Sequence, residues 1–531
     1  MDAHETDAVV VGAGFAGLYA AYALRAQGLA VQGFEAGHDV GGTWYWNRYP
    51  GARCDVESLE YSYSFSAELE QDWQWTERFA TQPEILRYLQ HVAQRFDLRR
   101  HFRFGTRIAA AHWDEAAQRW TVTTAAGERW SARWVVMATG CLSAGRPPDF
   151  PGLDRFKGRW YQTSQWPHET VDFTGLRVGV IGTGSSGLQC IPLLAQQAAR
   201  LTVFQRTPSY SAPAHNRPLA GDVQAAVKAQ YPALRQAWRS SFTSCGFGDP
   251  PPVSALQATP AEREVAYRQR WDQGGFGVLF TYADIVVDAQ ANETLAQFVR
   301  DRIREAVNDP LVADRLSPRY AVGTRRMCVD TGYYATYNRA NVDLIDLRAE
   351  PLQEITADGV RVGEREVPLD ALVFATGFDA VTGALARIDI RGRGGQRLAD
   401  SWAEGPHMYL GVMASGFPNL FTITGPGSPS VLSNMVISIE QHVQFIDGLL
   451  AAARSKGAQV IDVQPPAEQA WMQHVNEIAQ HTLYPQTASW YMGSNVPGKA
   501  RAFLPYIGGV GPFRQHCDQV AAEGYRGFVF A

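Results

Sequence analysis

An α/β chain with two doubly wound units is what this sequence of 531 residues predicts, and three observations predict it. A Gly-x-Gly-x-x-Gly loop follows a strand-like run near the N-terminus, at Gly12-Ala-Gly14-Phe15-Ala-Gly17. A second such loop lies at Gly182-Thr183-Gly184-Ser185-Ser186-Gly187. Two strand-like runs, Trp134 to Met137 and Ala371 to Phe374, each lead into Ala-Thr-Gly, so the two halves repeat one plan.

In the first unit Asp7 to Val11 reads as a buried strand, and Leu18, Ala21 and Leu24 share one face of the helix after the loop. A second strand, Ala30 to Phe34, ends in Glu35, 18 positions past Gly17. Each part has a physical task. Gly12 permits the tight turn, Gly14 lets the backbone approach a pyrophosphate, and Gly17 lets helix and strand pack closely. The helix N-terminus offers unpaired N–H groups to phosphate, and Glu35 suits a free ribose hydroxyl. With strand, loop, helix, strand and acid in register, the unit reads as Rossmann-like and dinucleotide-binding.

In the second unit the strands are Arg177 to Ile181 and Leu201 to Phe204. The position answering to Glu35 falls near Arg206, 19 positions past Gly187. An arginine there favours a 2′-phosphate through charge-assisted hydrogen bonds, hence NADPH over NADH, with Thr207 adding a hydroxyl. Arg206 as a solvated surface charge is the bland alternative. From Gly12 to Gly140 is 128 positions and from Gly182 to Gly377 is 195, so the second unit carries an insertion. Residues 213–321 supply it, with a helix expected around Glu293 to Val307, and it either walls an active site or adds only stability.

Composition narrows the partners. Hydrophobic residues are 46 % and charged residues 19 % of the chain, with a net charge of −5 and no basic block. Nucleic acid and membrane surfaces are therefore not expected. The six cysteines form no CxxC pair, so neither a disulfide framework nor a metal site is expected. The acidic start without a signal-like segment and the lack of a long apolar run predict a cytoplasmic protein. No coiled-coil pattern demands assembly, and a monomer is expected.

Two dinucleotide sites, one suited to a flavin and one to NADPH, imply electron transfer from nicotinamide to flavin. The segment after Glu35 bears on the fate of those electrons. It reads Gly41-Gly42-Thr43-Trp44-Tyr-Trp46-Asn-Arg-Tyr-Pro-Gly-Ala-Arg-Cys54-Asp55, with aromatics rather than a pair of cysteines. Disulfide chemistry is disfavoured, and an aromatic, water-excluding flavin environment is favoured. This segment resembles the pattern [A/G]GxWxxxx[F/Y]P[G/M]xxxD of the type I Baeyer–Villiger monooxygenases. The two glycine loops, the Ala-Thr-Gly strand ends, the run Gly425 to Met435 and the run Ser489 to Lys499 match that family as well, so the resemblance covers nearly the whole chain. One position departs. The linker fingerprint FxGxxxHxxxW[P/D] is met from Phe156 to Pro167, except that Gln162 replaces the histidine.

The resemblance implies an FAD- and NADPH-dependent enzyme that uses O2 to insert an oxygen atom beside a ketone carbonyl, giving an ester or lactone by way of a C4a-peroxyflavin. It implies that Arg326 is the catalytic arginine, paired with Asp55, and that Arg325 contacts NADP. Trp490 matches a tryptophan on a mobile loop covering NADP. Phe15, Gly42, Thr43, Trp44, Asp55, Tyr61 and Met435 are expected at the flavin, and Thr183, Gly184, Ser185, Ser186 and Gln189 at NADPH. The loop Ser428 to Leu432 leads into a helix whose apolar face carries Met435, Ile439, Val443, Ile446 and Leu450. That loop implies aryl or bulky and cyclic ketones, and an electrophilic hydroperoxide form implies sulfoxidation as a side activity. An N- or S-oxidising flavin monooxygenase, a weakly coupled NADPH oxidase (which Gln162 brings nearer) and a non-catalytic redox sensor are the alternatives. The expected division is 1–141 flavin domain, 142–212 linker and NADPH domain, 213–321 helical insertion, 322–378 NADPH domain, and 379–531 flavin domain.

Overall fold

A computed structural model describes residues 3–531. Its architecture follows from two sheets of buried, β-branched strands. In the first, His4–Val11 lies between Val31–Phe34 and Arg129–Met137, parallel to both. Phe102–Arg103 extends one edge, and the antiparallel strands Ile108–Asp114 and Arg119–Thr124 lead into Arg129–Met137. The late strand Leu420–Thr422 also pairs with Arg129–Met137, which brings residues almost 300 positions apart into one sheet.

The second sheet is wholly parallel, in the order Val342–Asp346, Arg200–Gln205, Arg177–Ile181, Ala371–Phe374, Arg159–Gln162. Val178, Val180, Leu201, Val203, Leu372 and Val373 are fully buried in it, as strands covered on both faces require. A small antiparallel sheet, Leu352–Ile355, Gly359–Val362 and Arg365–Pro368, leads back into Ala371–Phe374. The elements between Ser211–Pro213 and Cys328–Asp330, which pair with each other, are mostly helical. The longest is Ala289–Ala306, whose N-cap Asp288 accepts from the N–H groups of Gln290 and Ala291.

Both glycine loops have the geometry their sequence demands. Gly12 and Gly182 have φ of +107° and +108°, where a side chain would be strained. A Cβ on Gly17 would sit 1.7 Å from the Gly12 carbonyl oxygen, so the helix Phe15–Ala26 reaches the strand only because Gly17 has none. The helix Met435–Ser455 differs from expectation. Its first half is buried on all sides, Ser438, Glu440 and His442 included, rather than along one apolar face. It is packed between the helices Phe15–Ala26 and Val510–Ala522, and its buried polar groups find partners inside the protein except His442 Nε2. Glu440 accepts from the Ser64 N–H at 2.5 Å, and His442 Nδ1 accepts from the Thr424 N–H at 2.9 Å. Burial holds the His442 imidazole neutral, its pKa pushed down to about 3. Among the described residues no helix is long and apolar enough to cross a membrane.

Candidate active site

Both loops end in bare helix N-termini. The N-caps Gly14 and Gly184 supply no side-chain cap, so the first-turn N–H groups point outward. Above the first loop, Gly42 crosses close to Gly14: a Cβ on Gly42 would lie 2.8 Å from the Gly14 Cα. Glu35 is buried beneath this loop, accepting from the Ala13 N–H at 2.8 Å and the Gly37 N–H at 2.7 Å. Phe15, Trp44 and Tyr61 gather beside it. Tyr61 meets Phe15 edge-on at 5.1 Å and Trp44 at 5.9 Å, and the Trp44 Nε1–H donates to the Tyr61 hydroxyl at 3.3 Å. Thr43 is exposed at the start of the short helix Thr43–Trp46, and Met435 is half-buried at the start of its own helix.

At the second loop a Cβ on Gly184 would meet nothing within 4 Å, so open space lies over it. Thr183 is buried and donates to the Thr207 carbonyl at 3.0 Å, and the Ser185 hydroxyl lies 3.4 Å from Cys328 Sγ. Ser186 lies near the Tyr49 hydroxyl. Gln189 bridges the two halves, accepting from the Tyr49 hydroxyl at 2.8 Å and donating to the Arg53 carbonyl at 3.1 Å. Thr207 and Arg325 line an open cleft of about 400 Å³ with Arg319, Arg348 and Thr487. Arg206 is exposed, and Arg325 is half-buried with its Nε unpartnered. Burial and the like charge of Arg206 pull the Arg325 pKa down, although the Tyr320 phenol opposes them. Two guanidiniums that repel each other beside open space are a fitting seat for an anion.

Between the loops sits the Arg326–Asp55 pair. Arg326 Nε and Nη2 each donate to a separate Asp55 oxygen at 2.8 Å, and Nη1 donates to the Val431 carbonyl at 2.8 Å. The guanidinium carbon lies 4.9 Å from the Phe276 ring centroid. Burial works against the charge, but Asp55 and the nearby Tyr491 phenol outweigh it and hold the Arg326 pKa above its ordinary value. Arg326 is therefore a permanent, oriented cation in a partly desolvated place. Cys54, Cys141, Cys245 and Cys328 lie around the pair, all buried and free. Burial pushes the Cys141 and Cys328 thiols up to about 11, so they stay protonated at neutral pH. Phe276 and Tyr491 at this pair are not marked as site residues by the sequence, whereas Val431 lies in the loop Ser428 to Leu432 that the resemblance places at the substrate pocket. Of the first two, only Tyr491 left a signal, as the neighbour of Trp490 in a matched run. Trp490 is half-buried, its ring centroid 4.2 Å from that of Tyr491.

The Gln162 side chain is buried and its Nε2 donates to the Arg146 carbonyl at 2.6 Å. Thr376 approaches the same carbonyl at 3.3 Å, so this bond ties two crossings between the sheets.

The flavin-binding monooxygenase-like family model matches residues 6–213. A Baeyer–Villiger monooxygenase of Pseudooceanicola batsensis is 44 % identical over 98 % of this chain and 96 % of its own length. The phenazine N-monooxygenase PhzNO1 of Lysobacter antibioticus is 42 % identical over the same shares. Among solved structures, oxidized steroid monooxygenase bound to NADP is 49 % identical, with a TM-score of 0.95 over 99 % of both chains. OTEMO in complex with FAD and NADP is 40 % identical, with a TM-score of 0.96 over 100 % of both. The two bare loops, the ring of aromatics and the paired arginines fit FAD and NADPH. The chain belongs to the Baeyer–Villiger monooxygenases, FAD-containing and NADPH-dependent.

Proposed function

We propose that the substrates are aryl or bulky and cyclic ketones, with Arg326 as the catalytic cation and Asp55 as the carboxylate that orients it. The observation that carries this is the two-pronged Arg326–Asp55 contact, whose ends are 271 positions apart in sequence and meet between the two glycine loops. FAD, when bound, would supply the redox chemistry that couples NADPH oxidation to the use of O2 beside the ketone carbonyl. The chain's own residues then have electrostatic and steric tasks. A fixed guanidinium is strongest where charge develops on the ketone oxygen in a site shielded from water. Asp55 and the Val431 carbonyl hold three of its nitrogens, so little reorganisation is needed when that charge appears.

The remaining assignments rest on the loops. Gly12, Gly14, Phe15, Gly17, Glu35, Gly42, Thr43, Trp44, Asp55, Tyr61 and Met435 would hold FAD, with Trp44 and Tyr61 excluding water. Thr183, Gly184, Ser185, Ser186, Gln189, Arg206, Thr207, Arg325 and Trp490 would hold NADPH, with Arg206 and Arg325 on the 2′-phosphate. Gln189 is already committed to Tyr49 and Arg53 and would act by bridging the halves. The division into 1–141 with 379–531, and 142–212 with 322–378 around the insertion 213–321, is supported by the pairing of Leu420–Thr422 with Arg129–Met137. The ketone class rests on the loop Ser428 to Leu432, which resembles that of phenylacetone monooxygenase. Val431 and Met435 would set the pocket's size.

The test is product analysis with the purified yellow enzyme, NADPH, O2 and a panel of aryl and cyclic ketones. Ester or lactone formed in step with NADPH consumption supports the proposal; hydrogen peroxide alone across the panel contradicts it. Nitrogen or sulfur oxidation is the second reading, favoured by the 42 % identity to PhzNO1. N-oxide or sulfoxide formation with no ester from any ketone would establish it.

A further inference from the structure

The segment from Thr487 to Leu504 runs over the Arg326–Asp55 pair with little regular structure, yet it is pinned at both ends. At its start the Thr487 and Thr324 hydroxyls meet at 2.8 Å in a buried contact, two residues before Arg326. Toward its end Asn495 Nδ2 donates to the Phe378 carbonyl at 2.7 Å. Lys499 Nζ pairs with Asp379 Oδ1 at 2.6 Å and donates to the Ala380 carbonyl at 3.1 Å. Phe378 to Ala380 is the stretch of chain leaving the five-stranded sheet after Ala375-Thr376-Gly377. It bridges to Gly145, in the stretch that runs the opposite way between the sheets. The second pin is thus fastened to the connection between the two sheets rather than to either body.

What lies between the pins gives this fastening a consequence. The Tyr491 side chain is buried in a cluster with Val431, Tyr484 and Phe503, and its carbonyl accepts from the Leu504 N–H at 2.9 Å. Its phenol lies beside the Arg326 guanidinium, whose three nitrogens are held by Asp55 and the Val431 carbonyl. Ala380 and Val381, beside the second pin, belong to the same cluster. Contact between the crossing stretch and the arginine therefore runs through packed side chains without a gap.

We propose that the Lys499–Asp379 pair is a latch that seats Tyr491 against Arg326, so that the sheet-to-sheet connection, the 487–504 segment and the arginine are positioned together. Lys499, Asp379 and Tyr491 are positioning residues, and the proposal rests on Arg326 being the catalytic cation of ketone oxidation. Separate losses come from separate cuts. Breaking the latch frees the whole segment, whereas removing only the phenol leaves the segment seated and loosens the arginine alone.

The experiment compares Lys499→Met, Asp379→Asn, Tyr491→Phe and the charge reversal Lys499→Asp with Asp379→Lys in the FAD-loaded enzyme, with NADP+ present for proteolysis and with NADPH, O2 and a ketone accepted by the wild type for turnover. Two quantities are read: the rate of limited proteolysis within 487–504, and the ratio of hydrogen peroxide to ester. The two latch variants should be cleaved about fivefold faster, as expected from losing one half-buried ion pair. They should also release several times more peroxide per NADPH. The reversed pair should restore both quantities toward the wild type. Tyr491→Phe should keep wild-type proteolysis and still raise peroxide. Unchanged proteolysis in both latch variants overturns the proposal, as does faster cleavage with an unchanged peroxide-to-ester ratio. If the wild type makes no ester at all while the latch variants still loosen the segment, the fault lies in the ketone reading and the latch stands.

Discussion

Replacing Arg325 or Arg206 with alanine should weaken NADPH while sparing NADH. Arg325 is half-buried, its Nε is unpartnered, and burial together with Arg206 destabilises its charge. A 2′-phosphate placed against it would relieve that penalty. A hydrogen bond to a charged group is worth about 2 kcal/mol, or roughly 30-fold in KM for NADPH. Arg206 is exposed and screened by solvent, so its loss should cost only about fivefold. The two charges repel, and deleting one relieves the other, so the double variant should lose less than the product of the single losses. Steady-state KM for NADPH and NADH, measured side by side at fixed ionic strength, reads this directly. Equal losses for both nucleotides in Arg325→Ala would refute the reasoning, because a contact blind to the 2′-phosphate is not the one described.

Three further outcomes are expected from the geometry. Gly17→Ala drives a Cβ to 1.7 Å from the Gly12 carbonyl oxygen, a backbone atom that cannot turn aside. It should cost about 3 kcal/mol and most of the bound flavin, read by melting temperature and by the yellow absorbance of the purified protein. Burial, helped by the charge of Glu57 and opposed by Arg235, Arg78 and the Gly246 N–H, pushes the Glu60 carboxyl up to about 8. The folded state then holds a proton that the unfolded state has lost between pH 4.5 and 8, so this group's stabilisation fades as pH rises through that window. Glu60→Gln should therefore narrow the difference in melting temperature between about pH 6 and about pH 8. An unchanged difference would count against a buried neutral carboxyl. Gln162→His replaces the group that donates to the Arg146 carbonyl and should alter the share of NADPH that ends in product. Identical rate, coupling and NADPH affinity would remove any role for this position.

The sequence is most informative where structure is local. The strands Arg177–Ile181 and Ala371–Phe374 lie at the bounds their buried runs suggest, and the helix expected near Glu293 to Val307 is Ala289–Ala306. Glycine loops are legible because turn, strand and helix must succeed one another within a few residues. The Arg326–Asp55 contact spans 271 positions and carries no periodicity, so only the resemblance of the flanking runs points to it. Phe276 under the guanidinium leaves no sequence signal, and Val431 is marked only through the resemblance of its loop, as a pocket residue and not as the carbonyl on Nη1, because neither contact depends on neighbours in the chain. The helix Met435–Ser455 departs from a one-faced pattern for a related reason. Its apolar spacing is genuine, but tertiary packing buries Glu440 and His442 on the other side, where Ser64 pairs with Glu440 and the Thr424 N–H with His442 Nδ1.

The central claim, that Arg326 supplies the charge for oxygen insertion rather than for flavin reduction, is tested most directly by separating the two half-reactions in Arg326→Ala. Flavin reduction by NADPH is followed without oxygen, and ester formation from a ketone accepted by the wild type is followed with it. The variant should retain flavin reduction and lose ester, with the consumed oxygen released as hydrogen peroxide. Ester formation at the wild-type ratio to NADPH would contradict that role for Arg326.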